Sequence, residues 1–258
     1  MKLSFFSVIY WRSIIVLTKS SLVRMNKHSI LGSAWALLQP FVHMCIISYI
    51  FSVLLKQPAE LMIKNLAASL PLWNFFNLSC SNGGMALMLR ENIIKKSSLS
   101  TLMYVIADLF VGLILLCYGM VAMYSFVAII YPSALSLNWL WAPLIAMPFI
   151  ISVLSVAIIL SYIVPYIRDI PQLMVMVIST LYWTVPIVYP YSMIPESKQW
   201  MFDINPLFLL INPVQILIVE GRVPDLHHIV KSIFVMFVCV AISMFIYKKL
   251  SRRVVYYL

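Results

Sequence analysis

Between Lys96 and Arg168 the only charged side chain is Asp108. A run that long exceeds what one crossing of a hydrocarbon core needs, roughly 20 residues, and it carries too little charge to cover itself in water. It therefore folds back inside a membrane, and Tyr131-Pro132-Ser133 with Asn138 offers the proline-bearing turn. The composition agrees: 63% of the 258 residues are apolar and 10% are charged, with mean hydropathy +1.00. A soluble domain carries about 25% charge.

The same reading places the other spans. Ala34 to Leu55 is uncharged and long enough for span one, and span two lies in the gap from Lys64 to Arg90, with Ser79, Ser81, Asn82 and Gly83 as a polar patch near its far end. The long run supplies span three near 101–127 and span four near 140–162. Pro171 to Tyr189 is span five, and about Ile229 to Tyr247 is span six. Pro190 to His228 fits neither a watery loop nor a full span: it holds five of the 14 prolines around the strings PLFLLI and PVQILIV. Two short helices dipping into the membrane edge satisfy its backbone, provided protein or water covers the breaks. A hairpin of two true spans there would need about 40 apolar residues. The fold class expected is an all-α membrane protein of six transmembrane helices, with an N-terminal amphipathic interface helix and short re-entrant helices between spans five and six. Residues 1–258 form one transmembrane domain, divided into the interface segment 1–33 and the bundle 34–258.

In 1–33, Phe5, Phe6, Ile9, Ile14, Ile15, Leu17, Leu22 and Val23 are interleaved with bases, the pattern of a helix lying along an interface, with Tyr10 and Trp11 at headgroup level. With six spans both termini share a side. Thirteen of the 18 bases then fall on that side (Lys2, Arg12, Lys19, Arg24, Lys27, Arg90, Lys95, Lys96, Arg168, Lys248, Lys249, Arg252 and Arg253) and five on the other. The positive-inside rule makes the basic side cytoplasmic. The net charge of +10 is thus an orientation signal, and no nucleic acid is expected as a partner.

Several chemistries are excluded. The six glycines form neither GxxxxGK[ST] nor GxGxxG, so the chain is expected to bind no nucleotide or other cofactor and to hydrolyse no ATP by itself. The four cysteines lack CxxC spacing, which argues against a disulfide framework or a zinc cluster. His227-His228 is the nearest approach to a metal pair, but neighbours on a helix are expected to point apart, and no metal or catalytic group is assigned. No cleavable signal peptide is expected, because the early apolar runs are broken by Lys2, Arg12 and Lys19. Asp108 is the one acid well inside a span, a candidate for the pathway or for dimer contact. Its rival role is to anchor a helix end by pairing with a base such as Lys95. Together these features describe a conduit powered from elsewhere, rich in aromatic rings that can stack on sugar faces.

The string Arg24 to Pro40, RMNKHSILGSAWALLQP, resembles the entry to the first span in permease subunits of bacterial ABC-2 type polysaccharide exporters, those of O-antigen, capsule and teichoic acid. Ser29, Leu31, Gly32, Trp35 and Pro40 carry the match. Further pieces follow in the family's order: Trp73-Asn74-Phe75-Phe76 and then Asn82, Arg168-Asp169, and PIVYPYSMIPE with Pro186, Tyr189, Pro190 and Pro195. Trp200, Asn205-Pro206 and Arg222 complete it. Thr18-Lys19 and Ser97-Ser98 depart from the family pattern of Arg-Asp and proline.

The resemblance implies a homodimeric pathway in the bacterial inner membrane, driven by two copies of a cognate ATPase subunit that binds ATP and Mg2+. The expected cargo is a polysaccharide or lipid-linked glycan, and membrane lipids surround the dimer. Arg90, Glu91, Lys95, Lys96, Arg168 and Asp169 are the expected ATPase-coupling residues, and Trp35, Trp73, Asp108 and Tyr189 the pathway or dimer candidates. Alternatives are the same fold exporting a drug or lipid, and a membrane-embedded envelope glycan enzyme or assembly factor using Glu196, Asp203, Glu220 and Asp225.

Overall fold

The computed structural model describes residues 8–25, 32–97 and 99–258, and every regular element among them is helical. Ser29 and Leu31 lie outside the described residues.

Helix α1, Val8–Met25, occupies the segment expected to lie along the interface. It buries Tyr10, Ile14, Thr18 and Ser21, a single face at helical spacing, and leaves Trp11, Ile15, Val16 and Val23 exposed beside Arg12 and Lys19. An apolar outer face edged with bases suits the headgroup boundary. Helix α2, Trp35–Leu55, follows as the first span. Helix α3, Ala59–Leu78, runs on as a π-helical turn through Ser79–Gly83 and is buried from Asn65 to Trp73. The basic loop contains α4, Glu91–Ile94, and leads into α5, Thr101–Ile130. Pro132–Ala134 then makes the expected turn. A 3-10 turn at Leu137–Trp141 and the short α6, Ala142–Ile145, continue into α7, Met147–Ile163. After α8, Ile170–Thr184, come α9, Glu196–Asp203, α10, Pro206–Gln215, and the final α11, Leu226–Leu250.

Among the described residues four segments are long and apolar enough to cross a membrane: Leu38–Leu55, Thr101–Ile130, Leu137–Ile163 and Leu226–Leu250. A fifth arises if α9 and the Pro206–Glu220 segment, bent by 110°, count as one broken span. The expected count of six is therefore not reproduced by length and apolarity, for two physical reasons. Helix α3 starts earlier than expected and carries the Lys64–Glu60 ion pair, 2.7 Å, with Asn65, Asn74 and Asn77 beyond it. Helix α8 has 15 residues, about 22 Å at the α-helical rise, against the expected span to Tyr189. It stops because Pro186 forces the preceding Val185 into an extended conformation (φ −115°, ψ 137°).

The centre of the bundle is α3, packed against α5, α2 and α10, with α7 and α11 paired beside it. Close approach of α3 and α5 depends on Gly112, where a Cβ would stand 3.1 Å from Ser79 Oγ and 3.2 Å from Phe75 Cε2.

Candidate pathway and coupling sites

Helix periodicity brings together polar residues that lie far apart in the chain. On α2, Gln39 and His43 are one turn apart; on α3 and its π-helical extension, Asn74, Asn77 and Ser81 fall on one face. These five line two adjoining cavities. The first, of 460 Å³, is closed by Trp35, Pro40, Pro71 and the Gly112–Gly119 stretch of α5. The second, of 480 Å³, is closed by Trp73, Ser179, Tyr182 and Trp183. Sharing the same five polar residues makes the two cavities one furrow between α2, α3 and α8. Ser81 donates to Asn77 Oδ1 at 3.2 Å, while Gln39, His43, Asn74 and Asn77 are exposed. Polar side chains on apolar helices are costly against lipid, so this furrow faces water, cargo or protein. Of the sequence-expected pathway residues, Trp35 and Trp73 line the furrow; Tyr189 and Asp108 line neither cavity. The shared five could have been found by spacing Gln39/His43 and Asn74/Asn77/Ser81 on helical faces.

A second polar set holds irregular backbone. Beyond Thr184 the buried 185–190 stretch leaves carbonyls without helical partners. Asn65 Nδ2 donates to Ile187 O at 2.8 Å, Tyr189 O at 3.3 Å and Pro186 O at 3.4 Å. Gln215 Nε2, from α10, donates to Pro186 O at 2.7 Å and to Ser69 Oγ at 2.8 Å. Tyr189 donates its hydroxyl to Trp183 O at 3.1 Å, closing the end of α8. The family-pattern residues on the far side act in the same framework. Asn205 caps α10 by accepting from Leu207 N at 3.0 Å, with Pro206 in the first helical position where its missing N–H costs nothing. Its amide also donates to Thr184 O at 3.1 Å. Pro190 precedes the 3-10 turn Tyr191–Met193. Gly221 ends the segment at φ +69°, and its carbonyl accepts from Asn138 Nδ2 at 2.7 Å. Arg222 bridges Glu220 at 2.6 Å and Asp225 at 3.1 Å, and these two acids, Glu220 foremost, push its guanidinium pKa further up.

The basic loop departs from expectation at two residues. Asp108 pairs with Arg90, not Lys95: both guanidinium Nη atoms meet the two carboxylate oxygens. Arg90 is therefore 3% exposed, and the charge that this loop offers to a partner belongs to Glu91, Lys95 and Lys96. Lys95 donates instead to Glu91 at 2.6 Å and to the Leu258 carbonyl oxygen. Arg168 and Asp169, just before α8, are exposed, and so is Asn82.

His227 and His228 also differ from expectation: their ring centroids are 3.8 Å apart instead of diverging. With Asp225 their ligand atoms fall within 4.8 Å of one another. The carboxylate is held by Arg222, and the group sits at the start of α11, whose positive end disfavours a cation. No metal is assigned there.

Residues 12–219 match the sequence model of the ABC-2 type transporter family. The chain is similar to the O-antigen export system permease protein RfbA of Klebsiella pneumoniae, with 27% identity over 243 residues that cover 93% of this chain and 92% of the relative. It is also similar to the protein of that name in Myxococcus xanthus, at 21% over 226 residues and 82% of each chain. A match over most of the chain, on a helical membrane bundle with a bent helix pair before its last span, makes this protein a member of the ABC-2 type transporter family, related to O-antigen export permeases.

Proposed function

We propose that two copies of this chain form the pathway of an ATP-driven exporter moving polysaccharide or an O-antigen-type, lipid-linked glycan out of the cytoplasm. The observation that carries this reading is the polar furrow. Its amides can hydrogen-bond sugar hydroxyls while Trp35, Trp73 and Trp183 offer ring faces, and its open side lies beside α2 and α8, whose exposed Leu38, Val42, Ile46, Val175 and Met176 leave apolar surface for a second copy. Export of O-antigen is what the named relatives do. The base count supports cytoplasmic termini in the inner membrane. Half-buried Glu91 and exposed Lys95, Lys96, Arg168 and Asp169 then face the two ATPase subunits, which bind ATP and Mg2+; charges at such an interface chiefly set register.

Deleting the gene should leave glycan polymer or its lipid-linked precursor inside the cell while surface polysaccharide disappears. Intact surface glycan, in a strain with no second permease, sinks the reading in favour of a drug or lipid cargo. Within the chain, joint replacement Gln39→Leu and Asn74→Leu should keep insertion and removes two of the furrow's five polar side chains; export should fall about tenfold at equal membrane level, which corresponds to the loss of one or two hydrogen bonds.

A further inference from the structure

Among the described residues Arg90 is the one buried base, and its contacts join three separate pieces of chain. Its guanidinium grips both oxygens of Asp108 on α5. Nη2 also donates to Ser21 Oγ of α1 at 2.7 Å, and Ser21 in turn donates to Leu17 O at 3.0 Å. One residue before Asp108, Ala107 O accepts from Thr18 Oγ1 of α1 at 3.2 Å. The residue after Arg90 is Glu91, which begins α4 and the exposed charged face of the loop. The loop's own apolar anchor, Ile94, sits in a cluster with Leu87, Tyr104 and Val254.

Apolar contact alone lets a loop slide over its support, whereas a bidentate guanidinium–carboxylate pair fixes both distance and plane. Such a buried pair is not required for stability, since well-packed apolar residues in its place are often as stable or more so. We propose that the Arg90–Asp108 pair, with Ser21, is a coupling pin that makes α1, the Met88–Lys96 loop and the start of α5 move as one body. A push received at Glu91, Lys95 and Lys96 then reaches the interface helix and the third span without being absorbed in the loop. Arg90 and Asp108 are positioning residues: they line neither cavity of the furrow, and their side chains are only 3% and 10% exposed. The inference rests on the reading of this chain as an ATPase-driven exporter.

The test uses the full complex with its cognate ATPase and two variants. Arg90→Met with Asp108→Leu removes both charges and leaves no unpaired one; Arg90→Lys keeps the charge and loses the fork that reaches Asp108 and Ser21 together. Four quantities are read: assembled complex in the membrane, ATP hydrolysis per complex, surface glycan labelled by periodate and hydrazide dye on intact cells, and backbone amide hydrogen exchange of the purified complex. Both variants should assemble to within twofold of the parent, while surface glycan per ATP hydrolysed falls at least tenfold. In the double variant, backbone amides of α1 should exchange hydrogen at least tenfold faster, with α7 and α11 unchanged. Normal glycan per ATP in the double variant overturns the pin, as does failure of both variants to insert, which would make the pair a folding element only. If the parent complex itself exports no glycan, the export reading fails, and the pin is then judged by amide exchange alone: unchanged α1 protection overturns it.

Discussion

Asn65 shows how much one side chain can hold when backbone leaves its helix inside a membrane. Its amide donates to carbonyls of Pro186, Ile187 and Tyr189, and in hydrocarbon there is no water to replace it. Asn65→Leu leaves at least two buried carbonyls without a donor, because Gln215 still reaches only Pro186 O. The expected loss of stability is about 1–3 kcal/mol, measurable as an earlier thermal unfolding of the purified protein in detergent. Asn65→Asp should be worse at neutral pH, since a carboxylate would face carbonyl oxygens with no proton to give; equal effects of the two variants would mean that shape, not donation, is what the site needs. Nothing in the local sequence distinguishes Asn65 from Asn74 or Asn77 on the same helix. The first is buried against the irregular 185–190 stretch and the others open onto the furrow, a difference set by what packs against each face.

At the scale of elements, the central question is how α3, carrying three asparagines and an ion pair, is accommodated in a membrane bundle. It is surrounded: α5 packs close along it, with Gly112 opposite Ser79 and Phe75 and Gly119 opposite Pro71. The two glycines differ in room. A Cβ at Gly112 would lie 3.1 Å from its nearest neighbour and one at Gly119 3.4 Å. Gly119→Ala should therefore be tolerated, whereas Gly112→Leu should push α3 and α5 apart and lower the yield of monodisperse protein in detergent size-exclusion several-fold. Overpacking of this kind typically costs about 1–3 kcal/mol. Similar yields for both would show that the helices can separate freely. The bent α9–α10 pair is held differently, by capping: Asn205 serves α10 and reaches back to Thr184. The prolines of Pro190–His228 made short, interrupted helices legible in the sequence, but not the 110° bend, which depends on how α10 lies against α3.

For the whole molecule, the distribution of 18 bases sets a testable arrangement. Reporter fusions after Leu258 and after Tyr131 should report cytoplasm and outside respectively. Opposite faces for Leu258 and an N-terminal fusion would remove the even number of crossings and recast α8 or the α9–α10 pair. The sequence by itself determined the membrane class, the apolar stretches of α2, α5, α7 and α11, an N-terminal helix with one buried face, the turn at Pro132 and the family, because hydropathy, turn chemistry and ordered motifs are properties of contiguous residues. Only the tertiary structure decided that Asp108 meets Arg90 and not Lys95, that Gln215 reaches Ser69 across 146 positions, and that polar residues of α2, α3 and α8 share one furrow. The physical reason is common to all three. In an apolar medium a polar group must find a partner wherever the fold brings one, and every segment here is so uniformly apolar that its sequence does not say which neighbour its few polar atoms will face.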